Sequence, residues 1–291
     1  MENEQFNLDD LVLTLDSTLV FDKYADIETN TKCYREGYYI QMLEKDDELT
    51  PNIYYLLIAF PQDSTPINIG VIKFAKKEES IFYADNHIFY QPFSWCSKGK
   101  ISLATTLEPI LDDLGFELEK IKVSRMKIVR DSLRNVLADI SIVNGNSNYA
   151  LFINEEEVKD SLYIVDKFFI SDDSNTNDVK KMKKQKVCHV SNILGTVQMK
   201  AYCMSDKIRD ISHEDYIKDY TGFGSQKFYR TEITLNGNQL RRFYREIDIE
   251  DNGYYTICRF IQPDCIKALF DYLSPKLLYY KNIKNEKIKT L

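Results

Sequence analysis

Short runs in which aromatic and β-branched residues alternate with polar ones recur along this 291-residue chain, and they commit it to a sheet-rich fold. The clearest is "FYRTEITLN", residues 228–236. A period of two puts Tyr229, Thr231 and Ile233 on one face and Arg230, Glu232 and Thr234 on the other. That second face is either solvated or a working surface. Similar runs are "KCYREGYYIQML", "IYYLLIAFPQ", "NIGVIKFAKK", "SIFYADNHIFYQPF", "EKIKVSRMKIVRD", "GTVQMKAYCM" and "KLLYYKNIKNEKIKT". Twenty tyrosines and 16 phenylalanines, against ten glycines and seven prolines, suit extensive strands with few tight turns.

Helical spacing interrupts the strands. Leu107, Ile110, Leu111 and Leu114 share a helical face that stops at Gly115, and Leu133, Val136, Leu137 and Ile140 form another. Later come "NQLRRFYREI", with Asn238 read as its N-cap, and "PDCIKALFDYL", opened by Pro263. The expected class is α+β, with antiparallel sheets, helices packed on one face and two similar sheet-helix halves.

Charge divides the chain. Residues 176–291 carry 21 Lys and Arg against 14 Asp and Glu, a net of +7, which leaves −14 for residues 1–175 of the total of −7. The expected organisation is an acidic strand-rich half (1–170), a polar loop turning basic (171–187) and a basic half (188–291). Lys183 and Lys184 in that loop are candidate phosphate contacts, as are Arg241, Arg242 and Arg245; Arg241 and Arg245 lie one helical turn apart.

Several functions are excluded. No apolar run approaches the length of a membrane span, and the polar, acidic opening "MENEQFNLDD" is unlike a secretory leader, so the cytoplasm is the expected location. Six scattered cysteines without a CxxC pair argue for thiols rather than zinc or disulfides. His87, His189 and His213 lie too far apart for a sequence-local metal pair, and neither GxxxxGK[ST] nor GxSxG occurs.

Three collinear stretches resemble the replication initiation proteins of small rolling-circle replicons of the Rep-trans type, found in plasmids and phages. They are "KVSRMKIVRDS" (122–132), "VQMKAYCMSDKIRDISHEDYIKDY" (197–220) and "FYRTEITLN", with "NIGVIKF" and "FYADNHIFY" resembling the family's early strands. The resemblance implies an enzyme that binds origin DNA, nicks one strand through a tyrosine and keeps the 5′ phosphate as a phosphotyrosine. It also implies a Mg²⁺ or Mn²⁺ ion held by carboxylates, a bacterial or phage-infected cytoplasm and a homodimer. On matching positions, Tyr202 is the nucleophile, Arg230 the phosphate clamp, and Asp131 and Glu232 the metal carboxylates.

Three polar positions of the family pattern differ. An acid is Lys127, a lysine is Met204 and a second acid is Lys207. Acid-to-lysine changes invert the local charge that a cation needs. The alternative reading is therefore a catalytically inactive DNA-binding relative on the same scaffold, and a third is a protein-interaction module whose acidic half binds a basic partner.

Overall fold

A computed structural model of the chain describes residues 4–15, 27–45, 52–59, 66–75, 80–85, 103–139, 149–153, 156–158, 164–170, 182–191, 196–212 and 216–290. Fifteen strands are described: β1 Glu4–Leu15, β2 Lys32–Arg35, β3 Tyr38–Lys45, β4 Asn52–Ala59, β5 Ile67–Ala75, β6 Ser80–Asp85, β7 Lys122–Ser132, β8 Tyr149–Ile153, β9 Glu156–Val158, β10 Ile164–Ile170, β11 Met182–Ser191, β12 Val197–Cys203, β13 Tyr229–Asn236, β14 Leu278–Asn282 and β15 Ile288–Thr290. The helices are α1 Leu103–Asp113, α2 Met204–Lys207, α3 Tyr216–Thr221, α4 Gly237–Glu246, α5 Tyr254–Phe260 and α6 Pro263–Leu277. A π-helical turn, Ile208–Ser212, directly follows α2. Antiparallel sheet with helices is α+β architecture, as the periodicities imply.

Two compact units share the chain without following its order. The first comprises Met1–Asn7, Ile128–Leu235 and Ile266–Leu291; the second comprises Leu8–Lys127 and Asn236–Cys265. The composition-based division at 170 and 187 is contiguous, whereas these units interleave.

In the first unit, neighbouring strands run β10-β11-β12-β13-β7, and β15-β14-β8-β9 form a separate four-stranded sheet. Phe152 stacks on its register partner Tyr279 at 4.7 Å. The start of β1 is tied to α6 by Phe6 packing edge-on to Phe270 at 5.5 Å. In the second unit the order is β7-β1-β6-β5-β4-β3-β2. Its core gathers Leu11, Leu13, Leu15, Ile40, Leu57, Ile72, Phe74 and Phe82, with Leu107, Ile110, Leu111 and Leu114 of α1 also buried. The helix ends where expected, with Gly115 at φ 94°.

Four expectations need correction. "KCYREGYYIQML" is not one strand but the hairpin β2–β3, turned at Glu36 and Gly37, where φ is 80°. The stretch read as a loop to residue 187 already enters β11 at Met182, which pairs with Ile170. There Lys183 and Lys184 stand opposite Phe169 and Phe168. The cap of α4 is Asn236, whose side chain accepts from the Gln239 amide at 3.2 Å, whereas Asn238 accepts from Arg241 at 2.6 Å. Finally, "EQFNLDDLVLTL", passed over as an acidic opening, is the strand β1.

Candidate functional site

Antiparallel pairing of β12 with β13 sets Tyr202 opposite Arg230 and Lys200 opposite Glu232. Cross-strand partners share a sheet face. Tyr202, Arg230 and Glu232 therefore come together, joined by Asp131 of β7 through Arg230, as the resemblance implies. They do not meet as a solvent-facing platform. Arg230 and Asp131 are each 0% exposed and form a two-pronged ion pair, Nε to Oδ1 and Nη2 to Oδ2, both at 2.8 Å. A buried guanidinium is tolerated because a carboxylate matches its fork. Glu232 is 8% exposed and Tyr202 5%, and the Tyr202 hydroxyl donates to Glu232 Oε1.

The cover over this corner is the connection between β12 and β13. Strand alternation would send residue 204 to the same face as Tyr202, but the chain turns helical there, with Cys203 as N-cap of α2. Met204 consequently drops into an apolar cluster with Val187, Tyr202, Ile208, Ile217, Phe223 and Phe228. The turn is latched at Phe228. The amides of Met204 and Ser205 donate to its carbonyl at 3.1 and 3.4 Å, and its own amide donates to Ser205 Oγ at 3.0 Å. Asp206 adds ion pairs to Lys227 at 3.0 Å and Arg209 at 3.1 Å. Burial alone would push its carboxyl up, but hydrogen bonds from Cys203 and Lys227 hold it below its ordinary value.

One turn of α2 beyond Met204, Lys207 returns to the tyrosine. Its ammonium lies 3.4 Å from the Tyr202 hydroxyl oxygen and 5.2 Å from the ring centroid. Sequence comparison marks Lys207 as a changed position and does not place it here. The signal that could have found it is the strand-to-helix switch after Cys203, which brings residue i+5 back over residue i. Away from the cover the same face opens, to half-buried Lys200 and its exposed register partner His189.

The donor set does not fit a divalent cation. Mg²⁺ and Mn²⁺ require several oxygen ligands with anionic charge. Both Asp131 oxygens serve Arg230, Glu232 accepts from Tyr202, and a lysine stands at the phenol. Among the described residues no three His, Cys, Asp or Glu side chains gather as a metal site. In the second unit, Lys127 also has a carboxylate: it lies 3.4 Å from buried Asp9, beside an Arg125–Asp10 pair at 2.7 Å. Lys127 thus faces a carboxylate of β1.

The candidate phosphate contacts lie on α4 and β11. On α4 of the second unit, Leu240, Phe243 and Tyr244 are buried, Arg241 is half-buried, and Arg242 and Arg245 are exposed. Lys183 and Lys184 lie on β11 in register with Phe169 and Phe168. The arrangement around Tyr202 can do one piece of chemistry if opened: Glu232 can take the phenolic proton while Lys207 steadies the phenolate.

No family model matches the chain, and no curated protein does. Among solved structures, the rolling circle replication initiator protein from Geobacillus stearothermophilus is similar over 98% of this chain and 89% of that one, at 9% identity and a TM-score of 0.46.

Proposed function

We propose that this chain is a DNA-binding protein of the replication-initiator type that, in the conformation described, binds DNA without cutting it. The observation that carries the reading is the closure of Tyr202. A nucleophilic oxygen must come within about 3–3.5 Å of phosphorus in an aligned approach. Here the oxygen is hydrogen-bonded to Glu232 beneath an apolar cover of Met204, Ile208, Phe223 and Phe228. Arg242 and Arg245 supply exposed positive charge for a phosphate backbone, and their contribution would weaken as salt rises. The net charge of −7 works against indiscriminate binding, so retention depends on local basic patches.

A nickase remains the second reading, favoured by the pairing of the phenol with a carboxylate that can accept its proton. In that reaction the phenolic oxygen bonds to phosphorus, the bond to the 3′ oxygen breaks, and the proton passes to Glu232. The leaving oxygen takes a proton from water.

Incubation with Mn²⁺ and a pool of single-stranded oligonucleotides, read by denaturing gels and by filter binding over a salt series, separates them. Salt-dependent retention without a covalent adduct is expected. An adduct that Tyr202→Phe abolishes would establish the nickase instead. No retention at low salt would overturn both.

A further inference from the structure

We propose that Lys207 is a resident cation of the Tyr202–Glu232 pair, taking the place that a divalent metal would need and keeping such ions out. The family pattern asks for a lysine at 204 and an acid at 207; this chain has Met204 and Lys207. Helix onset after Cys203 turns Met204, 0% exposed, into the apolar cover and swings residue 207 back to the phenol. The positive charge has therefore moved one helical turn along the chain. It arrives at the hydroxyl from the position where the family pattern has a carboxylate.

Local charge agrees. Asp131 and Arg230 neutralise one another inside the sheet, leaving Glu232 as the carboxylate beside Tyr202. Lys200 lies opposite Glu232 in register, and Lys207 reaches the hydroxyl to which Glu232 is bonded. The Lys207 ammonium thus stands at the phenol that Glu232 holds, as a positive charge already beside that carboxylate. A further two positive charges would meet repulsion that the half-buried setting screens poorly. Lys207 is a positioning residue here, fixing the phenol through charge and ring contact.

The inference rests on the reading that Tyr202 is closed to metal-dependent cleavage, but its readout needs no DNA. Mn²⁺ binding is measured by electron paramagnetic resonance and calorimetry on the full chain, K207E, K207Q, E232Q and K207E/E232Q. The unsubstituted protein is expected to show no saturable site. K207E, which sets a second carboxylate beside Glu232, should gain one, at least about tenfold tighter than any residual binding, and lose it again in K207E/E232Q. Saturable Mn²⁺ binding by the unsubstituted protein that E232Q removes would overturn the assignment, as would K207E binding no tighter than its parent. Should K207E fail to fold, K207Q decides: tighter Mn²⁺ binding than the parent supports the assignment, and equal binding overturns it. Failure of DNA retention would retire the functional reading and leave this one standing.

Discussion

Arg230 and Asp131 show why a side chain's identity says less than its partner. In sequence Arg230 is a candidate phosphate clamp; in the fold its charged fork is fully engaged by Asp131. Removing one partner strands the other charge in the interior. D131A should therefore cost about 3–5 kcal/mol, read as a fall in the urea midpoint. Arg130, the next residue back on β7, gives the opposite sign. It is 7% exposed, its Nε and Nη2 make no hydrogen bond among the described residues, and its guanidinium packs 5.1 Å from the Phe270 ring centroid. Burial pulls its pKa below the ordinary arginine value. R130M keeps the length and ring contact while removing the orphaned donors, and is expected to raise stability by about 1–3 kcal/mol in thermal melts. The faces of β12 and β13 were legible from alternation, whereas the meeting of Tyr202, Arg230, Glu232 and Asp131 was implied only by the family resemblance. Their burial was not, because Met204, Ile208, Ile217, Phe223 and Phe228 join one apolar cluster with Tyr202 although they are scattered through a polar stretch of sequence.

At the scale of elements, two glycines seat the segment after β13. A Cβ on Gly237 would stand 1.9 Å from the Val123 carbonyl oxygen, and one on Gly253, at φ 58°, would stand 2.3 Å from that of Glu119. Gly237 presses against the backbone of β7 and Gly253 against the turn that precedes it, contacts no rotamer change can relieve. G237A should accordingly cost at least about 1–3 kcal/mol by overpacking, measured as a lowered melting temperature, although alanine is the better helix former. Helices α1 and α6 were readable because their apolar residues repeat cleanly and Gly115 or Pro263 marks a boundary. Strand β1 was not, because Asp9 and Asp10 look like surface. They are buried, and the cations that accommodate them, Lys127 and Arg125, lie more than 110 positions away, on β7. The β2–β3 hairpin is hidden for a local reason: its turn is only Glu36 and Gly37, set between tyrosines that suit strands on both sides.

For the whole molecule, buried thiols set the response to alkali. Burial pushes Cys188 up to about 12 and, with smaller effects from Asp206 and Lys227, Cys203 up to about 11. An unfolded thiol loses its proton near pH 8.5, so between that value and the folded values the native state binds more protons. The stabilisation is complete below about pH 8.5 and is lost as pH rises toward 11–12. Urea midpoints should fall between pH 8 and pH 10, and C188A should flatten that dependence. The alternation of the two units along the chain has its own consequence for synthesis on the ribosome. Phe6 and its ring partner Phe270 belong to the same unit, yet all of the second unit lies between them in sequence. The first unit cannot close until α6 has been made, so this ring contact forms only after every residue of the interleaved second unit has been synthesised.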